Sequence, residues 1–271
     1  MNIILFVNKD FEANLTYNLL KPELLQHNVR IYYTSRVGKA QGKPEALQEI
    51  EYYEKEYFFN KVVNYIKANT IATDFEFFGD DFSSFDFMPC SNVNSPTFIA
   101  EVSAFDPDLF ISIRFGKIFK EAIIDIPKKG ILNLHSAILP DYKGIFGTLH
   151  NLREDKTQYG CTLHYISNSG IDTGEIIDIA KLDTDKSRSL LWHVLQLYPQ
   201  GAKMISQNIH LLKSQEKLPF KTQNKSQGTY YSVPTKAHFD ELIDIGYTTF
   251  AFEDYIELLS QFISPQLKHL A

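Results

Sequence analysis

Asn133 and His135 stand two residues apart at the end of the apolar run Gly130-Ile-Leu-Asn-Leu-His135, and Asp172 lies further along between Gly170 and Gly174. If 131–134 is a strand, its side chains alternate with period two, so the amide and the imidazole point to one face and can reach one reacting atom. Hydrogen-bond donation and proton movement are the chemistry these groups offer. Pro140 and Gly144 bracket a loop leaving the strand end, and the two glycines give the Asp172 loop the freedom to swing back over it. Other candidates are weaker. Cys161 precedes His164 by three residues, but one such pair is a poor metal signal, and no metal site is expected. His164 reads as a structural strand residue.

The elements that must position these groups follow from hydrophobic spacing. Apolar runs at 1–7, 29–34, 109–113 and 131–134 read as buried strands, and 70–78 as a further one. Helical spacing marks 11–26, 45–68, about 97–104 and 189–212. Segments 160–166 and 175–182 flank the turn Ser167-Asn-Ser-Gly170 as a strand pair. Stretch 79–96, rich in Asp, Ser, Asn and Pro, reads as a loop. Alternating strands and helices bury best as an α/β fold: a mostly parallel Rossmann-like sheet with helices on both faces and ligands at the carboxyl ends of the strands. Beyond Leu218 the pattern changes. Residues 228–235 read as loop or short strand, Thr235 as the cap of a helix carrying Phe239, Leu242 and Ile243, Gly246 as its stop, and 252–263 as a last helix. The expected division is a catalytic domain over 1–215 and a small extension over 216–271, docked on the same core.

Bulk properties narrow the class. The 271 residues carry a formal net charge of −6 and are 44% hydrophobic, which suits a folded globular protein and offers no basic footprint for nucleic acid. The first apolar run is too short for a signal peptide, and no stretch approaches the roughly 20 apolar residues of a membrane span. With two widely separated cysteines, a reducing cytoplasm is the expected location, with no membrane partner. Long aromatic-rich helices are compatible with a homodimer.

The segment Asn133-Leu-His-Ser-Ala-Ile-Leu-Pro-Asp-Tyr-Lys-Gly144, then Gly160-Cys-Thr-Leu-His164, then Gly170-Ile-Asp-Thr-Gly174, resembles the folate-dependent formyltransferase family, which includes methionyl-tRNA, glycinamide ribonucleotide and amino sugar formyltransferases. The matching elements run from about 106 to 177, in the family's order and at similar spacing. The resemblance implies an enzyme that moves a formyl group from 10-formyltetrahydrofolate to an amine. Asn133 and His135 would donate hydrogen bonds to the carbonyl oxygen as it gains charge, and Asp172 would orient His135 and take the amine's proton, directly or through water. Phe115-Gly-Lys-Ile-Phe119 resembles the stretch lining the pterin slot, with Gly116, Lys117, Ile138, Leu139 and Gly170 as further carrier contacts.

The sequence departs from that pattern at the first turn, Val7-Asn-Lys-Asp10, which has no glycine to cradle a phosphate, and at 167–170, which is one residue longer than usual. Lys143 stands where the family favours Arg. A methionyl-tRNA formyltransferase would carry a longer, basic C-terminal domain, whereas the segment after Leu218 holds more acids than bases. Amino sugar formyltransferases often end in a short tyrosine-containing extension, and Tyr230 and Tyr231 would stack on a nucleotide base. The expected acceptor is therefore a small-molecule primary amine, foremost a nucleotide-linked amino sugar. The alternatives are a 10-formyltetrahydrofolate hydrolase, a methionyl-tRNA formyltransferase-like protein with another amine acceptor, and a non-enzymatic folate- or sugar-nucleotide-binding module.

Overall fold

The computed structural model describes residues 1–35, 42–79, 82–214, 217–224 and 226–270. Strand β1 (Asn2–Asn8) leads into α1 (Phe11–Leu24) and β2 (Asn28–Thr34). A long helical run follows as α2 (Glu45–Glu51), a π-helical stretch (Tyr52–Val62) and α3 (Val63–Ala68). Next come β3 (Asp86–Pro89), α4 (Pro96–Ala104), β4 (Leu109–Ile113), α5 (Glu121–Ile124) and β5 (Ile131–His135). Then β6 (Tyr142–Gly144), α6 (Gly147–Arg153), the pair β7 (Gln158–Tyr165) and β8 (Ile176–Asp183), and α7 (Leu190–Leu212) complete the larger part. The tail holds β9 (Thr229–Tyr231), α8 (Lys236–Asp244), α9 (Phe252–Phe262) and a short 3-10 helix (Pro265–His269).

Among the described residues the main sheet has seven strands in the order β3-β2-β1-β4-β5-β7-β8. It is parallel from β3 to β5, and β7 and β8 are antiparallel additions. Period-two alternation sorts the strand residues onto two faces. Ile3, Leu5, Val7, Leu132 and Leu134 join one buried cluster with side chains of α1 and α7, while Ile4, Phe6, Phe110 and Ile131 join a second with Phe98 and Val102 of α4 and Ile123 of α5. The face assignment fixes the site. With Leu132 and Leu134 turned toward α7, Asn133 and His135 must turn the other way. The helix lies so close that a Cβ on Gly201 would sit 2.3 Å from Leu134 Cδ2, so β5 has little room to shift.

Two expectations about the sheet edge are corrected. Residues 70–78 are not a strand, because their backbone groups bond to side chains of α1 instead of a ladder. Asn14 Nδ2 donates to Glu76 O at 2.7 Å, and Glu76 N donates to Asn18 Oδ1 at 2.7 Å. The edge strand is β3, inside the stretch read as a loop; residues 80–81 of that stretch lie outside the described ones. The expected helix over 45–68 is continuous but wide-turned at its centre. Its buried positions Glu54, Phe58, Val62 and Ile66 recur every four residues, a spacing longer than the 3.6 of an α-helix and suited to the π register found there. The tail docks on the first cluster through Phe239, Leu242, Tyr255, Leu258 and Leu259. No described helix is long and apolar enough to cross a membrane.

The crevice between β1 and β4, where strand order reverses, is filled by the chain's own charges. Asp10 caps α1 by accepting from Ala13 N at 3.0 Å, so a carboxylate of the protein occupies the anion position at that helix start. Arg114, at the end of β4, reaches Asp10 at 2.7 Å, Glu54 at 2.9 Å and Glu12 at 3.4 Å. Burial pushes Glu12 well above the usual carboxylate range, with Glu54 and Asp10 adding to the effect against the pull of Arg114. Removing the Arg114 guanidinium leaves buried acidic groups uncompensated, which costs about 3–5 kcal/mol. Arg114→Met should therefore lower the unfolding free energy in urea by that amount; a loss below about 1 kcal/mol would show that the cluster does not hold the crevice shut.

Candidate active site

The site is built where three loops meet the carboxyl ends of β4 and β5. Cross-strand pairing sets Asn133 opposite His164 of β7 and His135 opposite Thr162. The β7–β8 register shifts between Leu163 and His164, an irregularity of the type that re-aims a side chain beside a functional site. His164 Nδ1 faces Tyr165 O at 2.8 Å and, as a carbonyl only accepts, donates to it. Its Nε2 faces the Asn133 amide at 3.0 Å. His135 Nε2 likewise donates to Tyr142 O at 2.7 Å, and its Nδ1 turns to Asp172.

Asp172 closes the group. Its Oδ2 lies 3.6 Å from His135 Nδ1, its Oδ1 lies 3.5 Å from His164 Nε2, and Gly144 N donates to Oδ2 at 2.7 Å. The residue holds a left-handed φ of +53°, a conformation that costs a non-glycine residue on the order of 1–3 kcal/mol and persists only where its surroundings enforce it. Burial works against ionisation of this carboxyl, yet His135, the His164 hydrogen bond and the Gly144 N–H together outweigh it and hold the group well below the usual carboxylate range. Asp172 is thus a firmly ionised partner for two imidazoles.

These side chains open into a cavity of about 570 Å³, a size suited to small ligands. Phe115, Gly116, Lys117, Phe119 and Gly170 line it on one side, together with Ile118, Ile166 and Ile171. Ile118 and Ile171 are 55% and 38% exposed, apolar side chains from separate loops that line the same cavity. Phe119 is mainly core, packed edge-on to Phe6. On another side stand Phe146, Tyr230, Ser232 and Val233, and the helical run adds Leu47, Glu51 and Glu54.

Three expected contacts are corrected. Ile138 and Leu139 lie outside the cavity: Leu139 is buried and its N–H donates to Thr162 Oγ1 at 3.0 Å, while Ile138 packs over Gly160. Tyr231 faces away and stacks on His150 at 3.7 Å, because strand alternation gives only Tyr230 to the cavity. His164, read as structural, sits within the polar cluster; its period-two spacing from Thr162 and its pairing opposite Asn133 were the signals for it. Phe146 was not anticipated, because only the left-handed φ of +58° at the start of α6 turns it inward. Among the described residues no group of His, Cys, Asp and Glu could hold a metal ion.

A mostly parallel sheet with this site at the carboxyl ends of its strands defines an α/β fold of the doubly wound kind. The family model for formyl transferase matches residues 48–191, just over half the chain, and the chain belongs to that family. The methionyl-tRNA formyltransferase of Syntrophomonas wolfei subsp. wolfei is 27% identical over 175 residues, covering 64% of this chain and 54% of the relative. The chain spans about half the length of the curated relatives it matches. Among solved structures, a sugar N-formyltransferase from Shewanella sp. aligns with a TM-score of 0.54 at 14% identity, over 86% of this chain and 77% of the other. An N-formyltransferase from Helicobacter canadensis, solved with folinic acid and dTDP-3-aminofucose, aligns at 0.51 and 20% identity over 86% and 71%. At these identities the structures establish the shared fold.

The depressed ionisation of Asp172 has a thermodynamic consequence. A carboxyl whose folded value lies below its unfolded value of about 3.9 contributes stability above that pH and loses it as the pH falls toward the folded value. The unfolding free energies of the wild type and Asp172→Asn should therefore differ by a constant amount above about pH 5 and converge below about pH 4. A gap independent of pH in urea titrations would mean that Asp172 is not held ionised by its neighbours.

Proposed function

We propose that the protein is an N-formyltransferase that moves a formyl group from 10-formyltetrahydrofolate to the primary amine of a small molecule, and that the acceptor is a nucleotide-linked amino sugar. The observation that carries this reading is the convergence of Asn133, His135, His164 and Asp172 on one cavity in a chain of the formyl transferase family. The apolar slot at Phe115, Ile118 and Ile171 suits a flat pterin, and Phe115, Gly116, Lys117, Phe119 and Gly170 are the proposed carrier contacts. Tyr230, 57% exposed at the cavity wall, is the proposed face for an acceptor base. The Helicobacter canadensis neighbour, crystallised with folinic acid and an amino sugar nucleotide, supports the same pairing of donor and acceptor.

The chemistry follows from the hydrogen bonds. The amine nitrogen bonds to the formyl carbon, and the Asn133 amide donates to the carbonyl oxygen as negative charge builds on it. Asp172 is held too acidic to be a good base. His135, with Nε2–H committed to Tyr142 O, has Nδ1 left to accept the amine's proton, and Asp172 stabilises the resulting imidazolium. His135 then returns the proton to the carrier nitrogen as its bond to the formyl carbon breaks. The division of labour differs from the expectation that His135 would bind the oxygen and Asp172 take the proton.

The curated relatives name transfer RNA-borne methionine as a second acceptor to test, although a net charge of −6 is poorly suited to a polyphosphate chain. In an acceptor screen with 10-formyltetrahydrofolate, sugar nucleotides bearing a free amine should be formylated, and Asn133→Ala should lower kcat about 10²- to 10³-fold. Carrier turnover at the same rate with and without every amine would instead indicate a hydrolase. Full activity in His135→Ala would remove the proposed proton path.

A further inference from the structure

The stretch from Lys221 to Asn224 runs over the surface, and Lys221, Thr222 and Asn224 are exposed. Gln223 is different: only 7% of it is accessible, although it belongs to no helix or strand and contributes no apolar side chain. Its Nε2 donates to two backbone carbonyls of the Asp172 turn, Asp172 O at 3.1 Å and Gly174 O at 2.5 Å. One buried amide thus spans the residue that carries the carboxylate and the glycine two positions on. A Cβ on Gly174 would meet Tyr165 O at 1.7 Å, so the turn is pressed against β7 on its other side.

The chain on either side of Gln223 is anchored at both ends of the site. Before it, Lys221 and Ile176 at the start of β8 exchange backbone hydrogen bonds at 2.7 and 2.9 Å. After it, Thr229 N donates to Asp141 O at 2.9 Å, and β9 pairs with β6, whose Gly144 donates to Asp172 Oδ2. The tail therefore runs from β8 to β6 past the Asp172 turn, and its buried Gln223 side chain holds that turn.

We infer that Gln223 is a positioning residue for Asp172: the tail acts as a strap, and the Gln223 amide fixes the left-handed turn so that the carboxylate stays between His135 and His164. This rests on the formyl-transfer reading for its catalytic consequence and on geometry alone for the strap. The Asp172 backbone is in a conformation its side chain does not favour, and the neighbouring glycines would otherwise let it relax. Two charge-free donors aimed at carbonyls are a suitable clamp, because they hold the backbone without competing for the carboxylate. The titratable groups facing Asp172 remain His135 on β5 and His164 on β7.

Gln223→Met keeps the side chain's length and removes its donors, and Gln223→Glu keeps its shape but sets an acceptor against carbonyls. Thr222→Ala serves as an exposed tail control. In hydrogen-exchange mass spectrometry, a peptide covering 168–176 should lose protection in both Gln223 variants and keep it in Thr222→Ala. In the formyl-transfer assay kcat should fall about 10- to 100-fold, with KM for donor and acceptor within about twofold and Tyr230→Ala, by contrast, moving the acceptor KM. Unchanged protection of 168–176 in both Gln223 variants overturns the inference. So does a kcat equal to wild type. Loss of protection in a protein that transfers no formyl group even as wild type would uphold the strap and sink the formyl-transfer reading instead. If Gln223→Met fails to fold, Gln223→Glu decides the comparison.

Discussion

A single carboxylate, Asp172, is held ionised out of bulk water by two imidazoles and a backbone N–H, and the rest of the site is arranged around that fact. Burial of a lone carboxylate is costly, and such a group ordinarily takes up a proton. Here the partners come from separate parts of the chain: β5 supplies His135, β7 supplies His164, and the β6 loop supplies Gly144. Each must be placed to within a fraction of an ångström for the charge to persist. The sheet does this by register, since Asn133, His135, Thr162 and His164 share one face while Leu132, Leu134 and Leu163 are committed to the other.

That division of faces also explains why the site is polar without weakening the core. The helix α7 takes the apolar half of β5, and Gly201 permits the close approach that fixes the strand. The opposite face ends at the cavity, where Phe115 and Phe119 continue the aromatic packing of Phe6 outward until it becomes the wall of the slot. The filled crevice at Asp10, Glu54 and Arg114 has the complementary effect. It occupies the space beside α1, and its Glu54 and Arg114 also form part of the cavity wall.

Much of this was legible in the residues. The strands at Leu109–Ile113 and Ile131–His135, the β7–β8 pair and α7 follow directly from apolar spacing. Asn133, His135 and Asp172 stood out because their types, order and flanking glycines make a connected pattern. What stayed hidden depends on contacts distant in sequence. Residues 70–78 look like a strand until Asn14 and Asn18 are known to satisfy their backbone. Ile138 and Leu139 look like pocket residues until Leu139 is seen to be buried against Thr162 and Ile138 to pack over Gly160. Tyr230 and Tyr231 are indistinguishable until β9 pairs with β6 and gives them opposite faces. Gln223 could not be singled out at all, because a lone glutamine in a polar tail carries no local signal.

The central claim is that, within one cavity, Asn133 binds the formyl oxygen and His135 takes the amine's proton while Asp172 stays ionised behind them. A crystal structure with a stable 10-formyl folate analogue tests it most directly. The account predicts the pterin between the Phe115 loop and Ile171, with the formyl oxygen about 3 Å from the Asn133 amide and His135 Nδ1 still facing Asp172. An analogue seated elsewhere, or a formyl group turned away from Asn133 with Asp172 swung out to solvent, would contradict it.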